Sequence, residues 1–174
     1  MNFKSEKGQA FSVFKLLIAA VVAIVILTIL LQVLSGIGTF QQGKPSEQAA
    51  TKVSSLVNSL GIPEKTQTVT WENGDTLFSR NIADSTGTIG EDQVCVLMGD
   101  VPASRFDLDN EGTIIRYTGT SGLATKLQVL CDHEELIGDT VGLYQYEWDL
   151  DNCNFDPNSD SQRTVCVVVV VENV

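Results

Sequence analysis

The chain has 174 residues, of which 11 are Lys or Arg and 22 are Asp or Glu, giving a formal charge of −11 with its single His neutral. That length suits one compact domain with an appendage, and 43 % apolar residues set it apart from a disordered composition. The acidity excludes a protein built to neutralise nucleic-acid phosphates, and one His excludes a His-rich metal site and any Ser/His triad not built on His133.

From Leu16 to Leu34 the chain runs for 19 residues without a charge, a Gly or a Pro, and only Thr28 and Gln32 are polar. As a helix this run would be about 28 Å long, close to the hydrocarbon thickness of a bilayer. Nothing breaks it back to Gln9, so a transmembrane or filament-core helix is expected over residues 9–35. Lys4, Lys7 and Lys15 against Glu6 leave the first 34 residues at +2 and the remainder at −13. Such asymmetry keeps the short basic flank cytoplasmic and sends the acidic remainder outward. A cleaved secretory signal and a plain uncleaved anchor are the competing readings. The apolar core is long for the former, and Gly36 and Gly38 match its cleavage site poorly.

Directly ahead of the apolar run stands Lys7-Gly8-Gln9-Ala10-Phe11-Ser12. This resembles the leader of archaeal type-IV-pilin-like proteins, the group with a class III signal peptide. The resemblance covers residues 4–34. It implies that residues 1–8 are a leader, that a prepilin-type peptidase cuts between Gly8 and Gln9, and that an assembly platform and ATPase act on the subunit. Many pilins carry Glu at the fifth mature position, here Val13; archaeal flagellum-type subunits also lack it. A segment apolar at every azimuth must be shielded from water, by lipid before assembly and by copies of itself afterwards. Phe11, Phe14, Leu16, Leu17, Leu27 and Leu31 would supply that contact surface. Ala19, Ala20 and Ala23 would let neighbouring backbones approach, or would merely face lipid.

Residues 36–63 read as a connector and an amphipathic helix. Gly36, Gly38, Gly43 and Pro45 suggest a bend. Ser46 looks like an N-cap for a helix over 46–60, with Ala49, Ala50, Val53, Leu56, Val57 and Leu60 on one face and Gly61-Ile62-Pro63 as the stop. A continuous rod with the first helix is the alternative.

Over residues 64–174 the period changes to two. Asn73-Gly74, between Thr66–Trp71 and Thr76–Arg80, predicts a β-hairpin. Further strands are expected at Val94–Met98, Thr113–Thr118, Lys126–Cys131, Leu143–Trp148 and Thr164–Glu172. The five consecutive valines Val167–Val171 fit a central strand buried on both faces, or one covered by a neighbouring subunit. The expected fold class is α+β, a long N-terminal hydrophobic helix followed by a β-rich, antiparallel, sandwich-like head domain, or one whose sheet is wrapped on one side by the 46–60 helix.

Cys95, Cys131, Cys153 and Cys166 all fall in the head. With no CxxC pair and an outward location, two disulfides are expected, in any of three pairings. Pinning the loop Asn154–Val165 favours Cys153–Cys166, and hence Cys95–Cys131. The cluster Cys131-Asp132-His133-Glu134-Glu135 gathers catalytic residue types, but adjacent strand residues point apart, so a solvated acidic loop is expected there instead of a site. Asp149, Asp151, Asp156 and Asp160 could surround Ca²⁺ irregularly, the only cofactor the sequence suggests. The EF-hand spacing fails, because Ser161 and Val167 stand where Gly and Glu are needed. Phosphate-loop, HExxH and GxSxG motifs and Asn-linked glycosylation sequons are absent.

The residues and the resemblance together lead to the expectation of a non-enzymatic structural subunit of a pilus-like surface filament. Its acidic head would be displayed at the cell surface for adhesion or surface interaction. A monomeric, membrane-anchored binding module that never polymerises is the alternative.

Overall fold

The computed structural model describes residue 15 and residues 17–27, 44–109, 111–156 and 161–173, and it divides into two units, Met1–Gln41 and Gln42–Val174. In the first unit residue 15 and residues 17–27 are helical (α1). Eleven residues at 1.5 Å rise cover only about 16 Å. Among the described residues no helix is long and apolar enough to cross a membrane. The expected long helix over 9–35 is therefore corrected: a short helix stands within it, and the rest of that range lies outside the described residues.

The second unit is α+β and is organised by its last strand. A mixed sheet runs in the order β1 (Glu64–Lys65), β7 (Leu123–His133), β8 (Thr164–Glu172), β4 (Val94–Met98), with β2 (Val69–Trp71) also paired to β7. β8 is antiparallel to β7 along nine residues, from Thr125↔Glu172 to His133↔Thr164. On its other side it is parallel to β4, from Val94↔Cys166 to Met98↔Val170. The expectation of an antiparallel head fails at this pair. A second, antiparallel sheet has the order β3 (Thr76–Phe78), β6 (Ile114–Tyr117), β5 (Phe106–Leu108).

Val165–Val170 are completely buried, as a two-faced central strand requires. Alternate side chains enter two separate cores. Cys166, Val168 and Val170 face Leu127, Val129, Val94 and Val96, under α2 (Pro45–Leu56), α3 (Ser79–Thr86) and the small sheet. Val165, Val167 and Val169 face Leu97 and Leu130 on the other side, where α4 (Glu134–Leu143) supplies Ile137 and Val141. The 144–155 segment completes that second cover with Leu150 and Phe155. The second unit is thus layered on both sides of the mixed sheet, and is neither a two-sheet sandwich nor a sheet covered on one side only.

Other local expectations shift for identifiable reasons. α2 starts at Pro45, whose missing N–H costs nothing at a helix start. Ser46 does not cap it; its hydroxyl donates to the Thr76 carbonyl instead. The helix ends at Leu56, short of Leu60. The Asn73-Gly74 turn forms, with Gly74 at φ 89° and Asp75 N–H donating to the Glu72 carbonyl, but it joins no hairpin. β2 pairs with β7 and β3 with β6, so the turn carries the chain between sheets. The expected strand Thr76–Arg80 stops at Phe78, where α3 begins. The expected strand Leu143–Trp148 is instead the end of α4 and an irregular segment.

Trp71 anchors the first core. It is fully buried, meets Phe106 edge-on at 5.1 Å, lies 6.3 Å from Tyr117, and donates its indole N–H to the Thr125 hydroxyl at 2.9 Å. A buried indole with its one donor satisfied is a large apolar contribution without a polar cost. Trp71→Ala should lower the unfolding free energy by about 3–5 kcal/mol, read from urea denaturation under non-reducing conditions.

Candidate functional site

The expected assembly surface is described only in part. Leu17, Ala19, Ala20, Ala23 and Leu27 lie on α1, and Leu17, Val21, Ile24 and Leu27 each remain more than half exposed. Gly8, Gln9, Phe11, Phe14, Leu16 and Leu31 lie outside the described residues.

The cysteines pair differently from the expectation. Cys131 bonds Cys166 and Cys95 bonds Cys153, with Cα separations of 4.1 and 5.4 Å. The register explains the first bond: Cys131 and Cys166 sit directly opposite on β7 and β8. The second ties β4 to the 150–155 loop and so holds Leu150 and Phe155 onto the second core. Gly112 fits closely here. It adopts φ 60°, and a Cβ would stand 2.7 Å from the Cys95 sulfur and the Asn152 carbonyl, so a larger residue would be both strained and crowded.

The Cys131–Glu135 cluster is not a solvated loop. The Cys131 sulfur is consumed by its disulfide. Asp132 is buried and accepts from the Thr140 hydroxyl at 2.7 Å and from the His133 N–H. The His133 ring meets the Gln162 carbonyl. Glu134 is only 3 % exposed and takes a two-point contact from Arg163, at 2.6 Å from Nε and 3.0 Å from Nη2, while Arg163 Nη1 also reaches Asp92 at 2.6 Å. The first N–H groups of α4, on Glu134 and Glu135, donate to the carbonyls of Arg163 and Ser161, so the helix start is satisfied by the segment that leads into β8. These groups brace α4 and leave no nucleophile beside a base.

Three of the four acids proposed for calcium, Asp149, Asp151 and Asp156, are described, and they do not come together as a metal-holding group. Asp149 caps the 3₁₀ turn Leu150–Asn152, accepting from Asp151 N–H and the Asn152 amide. Asp156 gives its N–H to Glu134, and Asp160 lies outside the described residues. Among the described residues no group of three His, Cys, Asp or Glu side chains could hold a metal ion. Asp109 is likewise used locally. Burial alone would raise its carboxyl, yet the Thr113 hydroxyl and the backbone N–H groups of Ile114, Thr113 and Glu111 hold it below the usual carboxylate range.

One surface was not singled out in the sequence, where Leu143–Trp148 was read only as a strand. Tyr144, Tyr146 and Trp148 stack in sequence, with centroids 5.8 and 4.5 Å apart and rings inclined by 14° and 11°. The stacking brings the three rings together, and their alternation is visible in the sequence. A Schellman turn sets the start: Tyr146 N–H donates to Val141 and Gln145 N–H to Gly142. Gln145 takes the left-handed position at φ 57°. Tyr146 and Trp148 rest partly on the second core and wall two clefts, one of about 490 Å³ with Asp139, Asp149 and Asp151 and one of about 410 Å³ with Asp100, Glu147 and Glu172.

Compared with known proteins, no family model matches the chain, and neither a curated protein nor a solved structure matches it.

The Arg163 hydrogen bonds are the main cause holding the Glu134 carboxyl down from 4.5 to about 2, against the opposing effect of burial, and the Arg163 guanidinium is raised in turn. A depressed carboxyl stabilises the fold above its unfolded pKa and loses that contribution as pH falls through the folded one. Glu134→Gln should therefore cost about 1.5–3 kcal/mol at neutral pH. The gap to the parent should close between about pH 4.5 and 2, measured by denaturation at stepped pH. Gln145→Gly should raise stability by about 0.5–1 kcal/mol, since Gly accepts the left-handed position without the Cβ penalty; thermal melting checks it.

Proposed function

We propose that the chain is a structural subunit of a pilin-like surface filament, held by its apolar N-terminal segment and displaying its acidic head outward. The observation that carries this reading is the charge-free run Leu16–Leu34 behind a basic flank and ahead of a strongly acidic remainder. A run of that kind needs cover from lipid or from copies of itself. On α1 the side chains of Leu17, Val21, Ile24 and Leu27 are open to such cover. The Lys7-Gly8-Gln9 resemblance adds a processing step by a prepilin-type peptidase, with an assembly platform and ATPase acting afterwards. Two disulfides in the head suit an oxidising, extracytoplasmic location.

Intact-mass analysis of the protein from its native cell surface, with electron microscopy of the same sample, tests the reading. Filaments whose subunit begins at Gln9 are expected. A chain that retains Met1, stays monomeric in lipid and forms no filament would establish a simple anchor instead.

A further inference from the structure

The stack of Tyr144, Tyr146 and Trp148 has an open end. Tyr144 is 41 % exposed and, among the described residues, meets an aromatic ring only on the Tyr146 side. Leu143, next to it in the chain, is 78 % exposed, and Leu136, seven residues earlier on α4, is 44 % exposed. The clefts on either side of Tyr146 and Trp148 contribute six carboxylates against one cation, Lys65. Among the described residues none of those six carboxylates is in an ion pair.

We propose that this face docks an arginine-bearing peptide segment of a partner protein. A planar guanidinium is weakly hydrated, can stack on an aromatic face as a further layer, and pairs with carboxylates at the same time. An ammonium can do only the last well. The charge imbalance selects a cationic occupant. It opposes a second copy of this chain, because a body at −11 would bring the same acidic face to the contact. The rings are held ready, since the Schellman turn and the second core fix Tyr146 and Trp148 before any partner arrives. The proposal rests on the head alone and holds equally for a filament subunit and for a lone anchor.

The test uses the full chain in neutral detergent micelles at physiological salt. The probes are a labelled short peptide alternating Arg and Gly, its Lys counterpart, and a neutral oligosaccharide, followed by fluorescence anisotropy. The Arg peptide should bind about fivefold more tightly than the Lys peptide, and Tyr144→Ala, at an exposed position that should not disturb folding, should erase that preference. Asp139→Asn with Asp151→Asn should weaken binding about tenfold, whereas Asp84→Asn with Glu72→Gln, on the other side of the sheet, should change it less than about twofold. Equal binding of the two peptides, an equal loss in the control pair, or binding of the oligosaccharide instead would overturn the proposal. A dimer seen by sedimentation and dissolved by Leu143→Asp would also overturn it, because the face would then belong to a second copy.

Discussion

A strand that is apolar on both faces must be covered on both faces, and the head follows from that requirement. Val165–Val170 alternate between two cores and expose nothing. β7 and β4 close the hydrogen-bonding sides of β8, and the remaining elements exist to roof the sheet above and below. One roof is thick, made of α2, α3 and the small sheet. The other is a single short helix and a loop. The thin roof is where covalent and ionic bracing concentrates: Cys95–Cys153 pins its loop, and Glu134 with Arg163 pins its helix. Closing loops of 35 and 58 residues, the two disulfides contribute about 4 kcal/mol each in the chain-entropy account.

The thin roof is also where surface chemistry arises. α4 has only ten residues, too few to cover the sheet alone, so the chain after it must lie across the remaining core. Tyr146 and Trp148 do this with one edge on the core and the other in water. Tyr144 then stacks outside them. An element recruited for burial thereby becomes a rigid aromatic surface, and the acids around it give that surface a sign.

The legible parts of the sequence were those set by local pattern. The valine run indicated a two-faced strand, and β8 has the expected bounds Thr164–Glu172; Val94–Met98 also formed as expected. What local pattern does not contain is partner choice. Asn73-Gly74 encodes a tight turn, but it cannot say that β2 and β3 will leave for different sheets. Val94–Met98 encodes a strand, but its direction beside β8 depends on a crossover of more than sixty residues. The Cys131–Cys166 bond follows the β7–β8 register, so the pairing was open until that register was known. α4 was missed because Gly138 and Gly142 and the β-branched Ile137, Thr140 and Val141 weaken a helical reading; Glu134 and Glu135 in its first turn and the Ile137/Val141 pair were the available signal. The calcium reading counted alternating acids without asking where Leu150 and Phe155 would be buried; among the described residues Asp149, Asp151 and Asp156 form no metal-holding group.

Native-state hydrogen exchange tests most directly the claim that a strand with two dry faces governs this fold. The account predicts that the backbone amides of Val165–Val170 are the slowest in the chain and open only with global unfolding. The loop Cys153–Phe155 should exchange earlier, through opening of the thin roof. If the valine amides instead exchanged as fast as that loop, β8 would not be the centre of the head, and the layering built around it would be wrong.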